Sequence, residues 1–287
     1  SSFHGVIDDV RIYRRALQAG EVKALAAGFR PETADGVAAT PEPQNSSIRT
    51  TVVTPGGGSE ILPTAEWPQW MGPNRTGESH ERGLLKRWPE GGPKLLWFVE
   101  GLGEGYSTVA IAGGRLYTTG TIGRQEVLFA LDLHGVPLWQ KTYGDAWDGR
   151  YPEARTTPTV NDGRVYVTSG MGRMACFDAR TGAEVWTVDA VAKFGTKYNF
   201  WGIAESPLVV GDRVIGTPCG TAATFVAFDK KTGATAWASK SLGELSGYCS
   251  PVPITVSGRR IFVTMLNKSI AGVDSDTGEI LWRLMYA

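Results

Sequence analysis

The chain has 287 residues with 29 basic and 29 acidic side chains, a balance that gives it no electrostatic draw toward nucleic acid or an anionic membrane. Hydrophobic residues make up 42%, an ordinary globular share, and no stretch approaches the roughly 18 apolar residues of a membrane span. The 37 Gly and 10 Trp set against 5 Met and 3 His suit an all-β protein of many short strands joined by tight turns.

In chain order, Phe3 to Tyr13 alternates around Val6, Val10 and Ile12 as a half-buried strand does, and Leu17 to Ala27 gathers Val22, Leu25 and Ala26 on one helical side with Gly28 as a C-cap. A piece of this size buries no core of its own, so residues 1–29 read as the tail of another domain. Residues 30–66 hold Pro31, Pro41, Pro43, Pro55 and Pro63 among Thr, Ser, Ala and Gly, with Gly56, Gly57 and Gly58 in the middle. That composition predicts a disordered, semi-extended linker.

From residue 67 onward the chain repeats. Four segments close alike, through Asp132, Gly135 and Trp139, then Asp178, Gly182 and Trp186, then Asp229, Gly233 and Trp237, then Asp274, Gly278 and Trp282. The tryptophans are 47, 51 and 45 residues apart. Each unit reads strand, Gly turn, strand, turn, strand, Asp-x-x-(x)-Gly turn, strand, which is a four-stranded antiparallel propeller blade. Asp and Gly make the turn before the outer strand. The following Trp is expected to lie between neighbouring blades and to offer its indole N–H to a backbone acceptor. Leu95-Leu96-Trp97 looks like the outer strand of a preceding unit. With about seven or eight blades expected in the closed ring, the four here predict a partial propeller over 67–287.

Aligning the inner strands on Pro158, Pro207 and Pro251, with Thr108 in the first blade, puts Tyr106, Thr156, Glu205 and Cys249 at one position around the channel. Ser107, Thr157, Ser206 and Ser250 fall at the next. Glu205 is the carboxylate of its set. Together with Arg155, Trp201, Tyr106 and Tyr248 it forms a candidate central-channel ligand site, against the plainer reading of a channel lined with solvated polar side chains. No catalytic residue and no metal site is predicted. Asp274 to Glu279 lacks the ligand spacing of a calcium loop and reads as a blade turn, and the three His have no metal or triad spacing. Two readings stand for Cys176, Cys219 and Cys249: a Cys219–Cys249 bridge with Cys176 free, or three buried inert thiols, the second being favoured.

The run Asp-x-x-Thr-Gly-x-x-x-Trp, unbroken at Asp178–Trp186, Asp229–Trp237 and Asp274–Trp282, resembles the repeat of the PQQ-like (pyrroloquinoline-quinone-type) propeller family; the first repeat departs from it, lacking the Thr and one turn residue around His134-Gly135. Trp67, Pro68, Gln69, Trp70, Met71, Gly72, Pro73, Asn74, Arg75, Thr76 and Gly77 resemble the lead-in of a bacterial envelope and secreted subgroup. The resemblance implies a periplasmic or extracellular location. It does not fix an activity, because the same blades serve quinone dehydrogenases and non-catalytic scaffolds such as the outer-membrane assembly lipoprotein. The expected function is therefore binding or scaffolding of a protein or small-molecule partner. The alternative is a dehydrogenase of alcohols or sugars that uses PQQ and Ca²⁺. That activity would need a calcium-binding Glu and Asn and a catalytic Asp. Glu205 and Trp201 could imitate a ligand and a stacking partner, but no Asn–Asp pair accompanies them. Residues 3–17 resemble the last strand of a laminin-G/concanavalin-like jelly roll, which implies a carbohydrate- or surface-recognising module.

Overall fold

A computed structural model describes residues 9–13, 48–53, 66–82, 86–87, 89–90, 92 and 95–286. The repeats fold as blades. Blade one comprises β4 (Ala110–Ala112), β5 (Arg115–Ile122), β6 (Gln125–Asp132) and β7 (Pro137–Asp145). Blade two comprises β8 (Thr159–Asn161), β9 (Arg164–Thr168), β10 (Arg173–Asp178) and β11 (Glu184–Asp189), followed by the short helix α1 (Ala190–Phe194). Blade three has β12 (Leu208–Val210), β13 (Arg213–Gly216), β14 (Val226–Asp229) and β15 (Thr235–Ala238); blade four has β16 (Val252–Val256), β17 (Arg259–Met265), β18 (Ser269–Asp274) and β19 (Ile280–Met285). Each is a four-stranded sheet paired in sequence order with antiparallel neighbours, as the repeat predicts.

Before them stands a three-stranded sheet with β3 (Leu95–Glu100) between β1 (Asp9–Tyr13) and β2 (Arg49–Val52). The strand expected near residue 10 is present at β1, and it pairs antiparallel with β3. The helix predicted over Leu17–Ala27 lies outside the described residues. The linker expectation needs one correction, because Arg49–Val52 is a strand inside 30–66. Its Thr50, Thr51 and Val52 are β-branched residues that suit a pleated surface, and an edge of β3 was open to them.

The core is built between blades. Leu128, Phe177 and Tyr117 pack with Val165 and Val167 at the first junction, Phe228 with Trp186 at the second, and Phe262 with Phe225 and Trp237 at the third. Each indole closes a junction by donating to a turn carbonyl of the next blade: Trp97 to Leu133 at 3.1 Å, Trp139 to Ala179 at 3.3 Å, Trp186 to Lys230 at 3.1 Å and Trp237 to Ser275 at 3.0 Å. The seat of each ring is the turn glycine. Gly278 has φ 76°, and a Cβ there would stand 2.4 Å from the Trp237 ring; Gly135, Gly182 and Gly233 are covered in the same way by Trp97, Trp139 and Trp186. The turn is thus Gly for two reasons at once: a left-handed backbone and the close approach of an indole.

The aspartate of each turn holds it from inside. In the three complete repeats, Asp178, Asp229 and Asp274 each accept from the backbone N–H and the hydroxyl of the turn threonine, Thr181, Thr232 or Thr277. The first repeat, lacking the Thr, keeps only the backbone bonds from His134 and Val136 to Asp132. The threonine bonds keep Asp178 and Asp229 below the usual carboxylate range. At Asp274 burial works the other way, but Arg259 and the turn bonds outweigh it and bring the carboxyl down to about 2. This places Asp274–Glu279 as a blade turn. Trp282 is the exception among the docking indoles, 42% exposed with no described turn beneath it.

Candidate functional site

Where the inner strands begin, the blades are stapled to one another in a fixed direction. Thr108 N donates to Thr157 Oγ1 (3.2 Å), Thr157 N to Ser206 Oγ (2.9 Å) and Ser206 N to Ser250 Oγ (2.9 Å). The hydroxyl of each blade thus satisfies an inner-strand N–H of the blade before it. The ladder corrects the alignment made from sequence by one residue in the first blade. Thr108, Thr157, Ser206 and Ser250 are equivalent, so Ser107 matches Thr156, Glu205 and Cys249, while Tyr106 matches Arg155, Ala204 and Tyr248. The parallel bridge between Gly105 and Ala154 agrees with this register. The error came from reading Thr108 as the counterpart of a proline; the first blade has no proline there to fix the count.

The corrected register separates the candidate residues into two layers. Ser107, Thr156 and Glu205 are buried between blades. Tyr106, Arg155 and Tyr248 stand one position earlier, at the rim, and Trp201 joins them from the loop before β12. Both ends of the Trp201 peptide unit are held. Its N–H donates to Tyr248 Oη at 3.1 Å, and its carbonyl accepts from Arg155 Nη1. The indole lies against the Tyr248 ring, with centroids 5.0 Å apart and planes tilted by 46°. Arg155 also donates to the carbonyls of Tyr151 and Arg150, so its charge is anchored in the loop 147–151. Tyr151 and Tyr248 both have φ 60°, a left-handed backbone that side-chain-bearing residues adopt only when held, and that concentrates at ligand sites.

Around this clamp the surface is aromatic. Phe200 is 69% exposed and packs edge-on to Trp201 at 6.5 Å, and Tyr151, whose carbonyl also holds Arg155, is exposed. The loop is fixed from behind: the Trp147 and Tyr198 rings meet at 5.0 Å with planes tilted by 57°, Tyr198 Oη donates to Met171 O, and Asn199 Nδ2 donates to Ser246 O. Burial lowers the Arg155 pKa, with Glu126, Glu153, Tyr106 and Tyr248 opposing; burial and Glu153 raise Tyr106.

Glu205 does not reach the rim, contrary to its placement with the other four. Its carboxylate accepts from Ser246 Oγ and from Ala204 N at 3.0 Å, and faces a cavity of about 20 Å³ bounded by Thr168, Met174, Ile215 and Thr217, room for a single water. Burial raises its pKa, Ser246 and backbone bonds opposing. Because Ser246 Oγ also accepts Tyr248 N at 3.0 Å, Glu205 braces the rim tyrosine from below.

The sequence reading missed two further buried carboxylates. Glu126 accepts from Tyr143 Oη and from Gly170 N at 2.8 Å, tying blade one to the turn that backs the aromatic loop; burial pushes it up to about 7. Glu244 accepts from Lys268 N, Ser269 Oγ and Arg283. A trace of Glu126 was available: it opens the run Glu126–Leu131, whose five following residues are all apolar, where strand alternation puts it inside. Nothing marks Glu244. No bridge joins the cysteines. Cys176 and Cys219 are buried, Cys249 is half-buried, and burial pushes the Cys176 thiol up to about 11. Among the described residues no group of three or more His, Cys, Asp and Glu is placed to hold a metal ion.

Glu205 is turned between blades and its oxygens are engaged, while Trp201 sits on the rim against Tyr248.

Stacked four-stranded sheets, indoles docked on the next blade's Asp–Gly turn, and a rim built at the inner-strand starts define a tryptophan-docking β-propeller, present here as part of a ring. Residues 123–286, more than half of the chain, match the family described as Outer membrane protein assembly factor BamB, and the chain belongs to that family. Among curated relatives, it is 29% identical over 197 residues to quinohemoprotein alcohol dehydrogenase ADH-IIG of Pseudomonas putida, covering 63% of this chain and 26% of that enzyme. To the outer membrane protein assembly factor BamB of Shewanella oneidensis it is 25% identical over 185 residues, covering 62% of this chain and 43% of that protein. The chain therefore spans about a quarter to under a half of the length of these relatives. The crystal structure of quinohemoprotein alcohol dehydrogenase from Comamonas testosteroni superposes with a TM-score of 0.50 at 21% identity, covering 64% of this chain and 35% of that one, a likeness of fold. Among the described residues no helix is long and apolar enough to cross a membrane.

Proposed function

We propose that this chain is a binding and scaffolding propeller of a secreted or periplasmic bacterial multidomain protein, and that its partner, a protein or small molecule, docks on the rim made by Tyr106, Arg155, Trp201 and Tyr248. The observation that carries this reading is the two-sided hold on Trp201, which presents exposed Phe200 and Tyr151 on a rigid support. Trp, Tyr and Arg are the side chains that dominate binding energy at protein interfaces, and rigid anchors lose little entropy on binding. The name of the BamB relative, an assembly factor, supports the same class of role. A module formed with residues 1–29 would add carbohydrate or surface recognition.

A PQQ-dependent dehydrogenase is the second reading, favoured by the alcohol dehydrogenases among the relatives. The orientation of Glu205 counts against it.

The test places a photo-crosslinking side chain at Phe200, or at Val256 on the far ends of the inner strands, in the protein within its native host. A protein adduct from Phe200 that disappears when Trp201→Ala is added, with none from Val256, supports the proposal. Equal adducts from both positions sink it. Retention of quinone absorbance after loading with PQQ and Ca²⁺, with dye reduction on an alcohol, would move the assignment to the dehydrogenase.

A further inference from the structure

The lead-in segment is not a strap on the outside of the blades. Trp67 N donates to Ile111 O (2.8 Å) and Ile111 N to Trp67 O (2.9 Å), and Val160 N donates to Pro68 O (2.7 Å), so the segment runs along the ends of inner strands β4 and β8. It then folds into a knob. Gly72 N, Arg75 N and Gly77 N bond back to Gln69, Gly72 and Met71, and Gly72 lies so close under Trp67 that a Cβ would stand 2.8 Å from its ring. Met71 and Arg75 adopt φ 58° and 54° to make these turns.

The knob delivers one side chain inward. Arg75 is 2% exposed. Its Nε donates to Gln69 Oε1 (2.9 Å), Nη1 to Pro251 O (2.8 Å) and Ser206 O (3.4 Å), and Nη2 to Pro207 O and Thr159 Oγ1 (3.4 Å). Five N–H bonds thus face five acceptors, and among the described residues none of these acceptors is a carboxylate. The carbonyls are there because the inner strand of each blade has an edge toward the axis with no further strand to pair with, and the prolines at 207 and 251 stand at that edge. Buried backbone acceptors need donors. A planar guanidinium offers five in a fixed fork, where an ammonium offers three from one point.

We infer that the inner-strand edges of blades two to four form a guanidinium-binding site, and that residues 66–77 are a self-supplied ligand which fills it with Arg75. The site accepts a guanidinium and excludes an alkylammonium. It ties three blades to a segment more than 130 residues upstream of the carbonyls it satisfies at Ser206 and Pro207.

The test uses the whole chain with Arg75→Gly and Arg75→Lys, followed by thermal unfolding with and without methylguanidinium. Both variants are expected to lose roughly 10 °C in Tm, since the carbonyls of Pro251 and Ser206 lose the guanidinium donor while Pro207 O keeps only Thr159 Oγ1. Methylguanidinium at millimolar concentration should then raise the Tm of Arg75→Gly while leaving the wild type unmoved, and methylammonium should do neither. Arg75→Lys unfolding with the wild type, or methylguanidinium acting equally on wild type and Arg75→Gly, would overturn the inference. Should Arg75→Gly not fold, ¹⁵N spectra of the wild type decide. Separate Nη–H resonances from a guanidinium locked against rotation support the site, and a single averaged signal rules it out.

Discussion

Two glycines of blade four allow the indole seat to be weighed on its own. Gly258 and Gly278 have nearly the same backbone, φ 78° and 76°. A methyl added at Gly258 meets nothing within 4 Å, whereas at Gly278 it would stand 2.4 Å from the Trp237 ring. Gly258→Ala therefore carries only the penalty of a left-handed alanine, about 1 kcal/mol. Gly278→Ala carries that and an overpacking penalty of about 2 kcal/mol, because Trp237 is pinned by its bond to Ser275 O and cannot swing away freely. The expected totals are about 1 and about 3 kcal/mol, readable as the shift in urea midpoint at constant m-value. A double variant with Trp237→Leu should recover much of the difference, since the ring that clashes is gone. Equal losses at the two glycines, or no coupling to Trp237, would refute the claim that the turn glycine is a seat for the preceding indole.

Three further outcomes follow from the same contacts. Trp186→Phe keeps most of the buried ring but removes the donor to Lys230 O, so about 1–2 kcal/mol of stability should be lost by urea unfolding, while Trp282→Ala, at a half-exposed ring, should cost less than about 1 kcal/mol. Glu126 is held at about 7 in the folded chain against an unfolded value of 4.5, so the folded state binds the proton more tightly. Its contribution is then fully present below about pH 4.5 and lost as pH rises to about 7, a fall of about 3 kcal/mol that Glu126→Gln should abolish in a pH series of urea midpoints. Tyr248→Phe removes the acceptor for Trp201 N, and amide hydrogen exchange at Trp201 should quicken by about fivefold with global stability little changed.

Much of the fold is legible because the blade is written in local chemistry. Asp178, Thr181 and Gly182 make their turn within five residues, and Trp186 follows at a fixed distance, so neither needs knowledge of the rest of the chain. The strand at Trp97 was legible, but not its place: it was expected on the outside of its sheet, and β3 instead lies between β1 and β2. What the residues do across blades was less visible. The ladder from Thr108 to Ser250 depends on which hydroxyl meets which N–H, and a missing proline in the first blade shifted the alignment by one. Arg155 and Tyr248 take the same place relative to their inner strands, and Trp201 joins them through backbone bonds from its loop. Glu205 was grouped with them because sequence gives a residue's place along a strand but not the face to which its side chain turns. Arg75 belongs to the motif Trp67–Gly77, yet its burial among carbonyls of Ser206, Pro207 and Pro251 is a contact across more than 130 residues.

The docking of each indole on its successor has a bearing on how such chains can lengthen. A sheet carries its tryptophan on one strand and the glycine that seats its predecessor's tryptophan on the turn just before it. Copying a segment cut at the gaps between sheets conserves both halves of every joint, since each inserted unit offers a seat to the unit behind and a wedge to the unit ahead. Rings of this construction can therefore gain or lose whole units without redesigning any joint, and the number of units is free to vary while the joint stays the same.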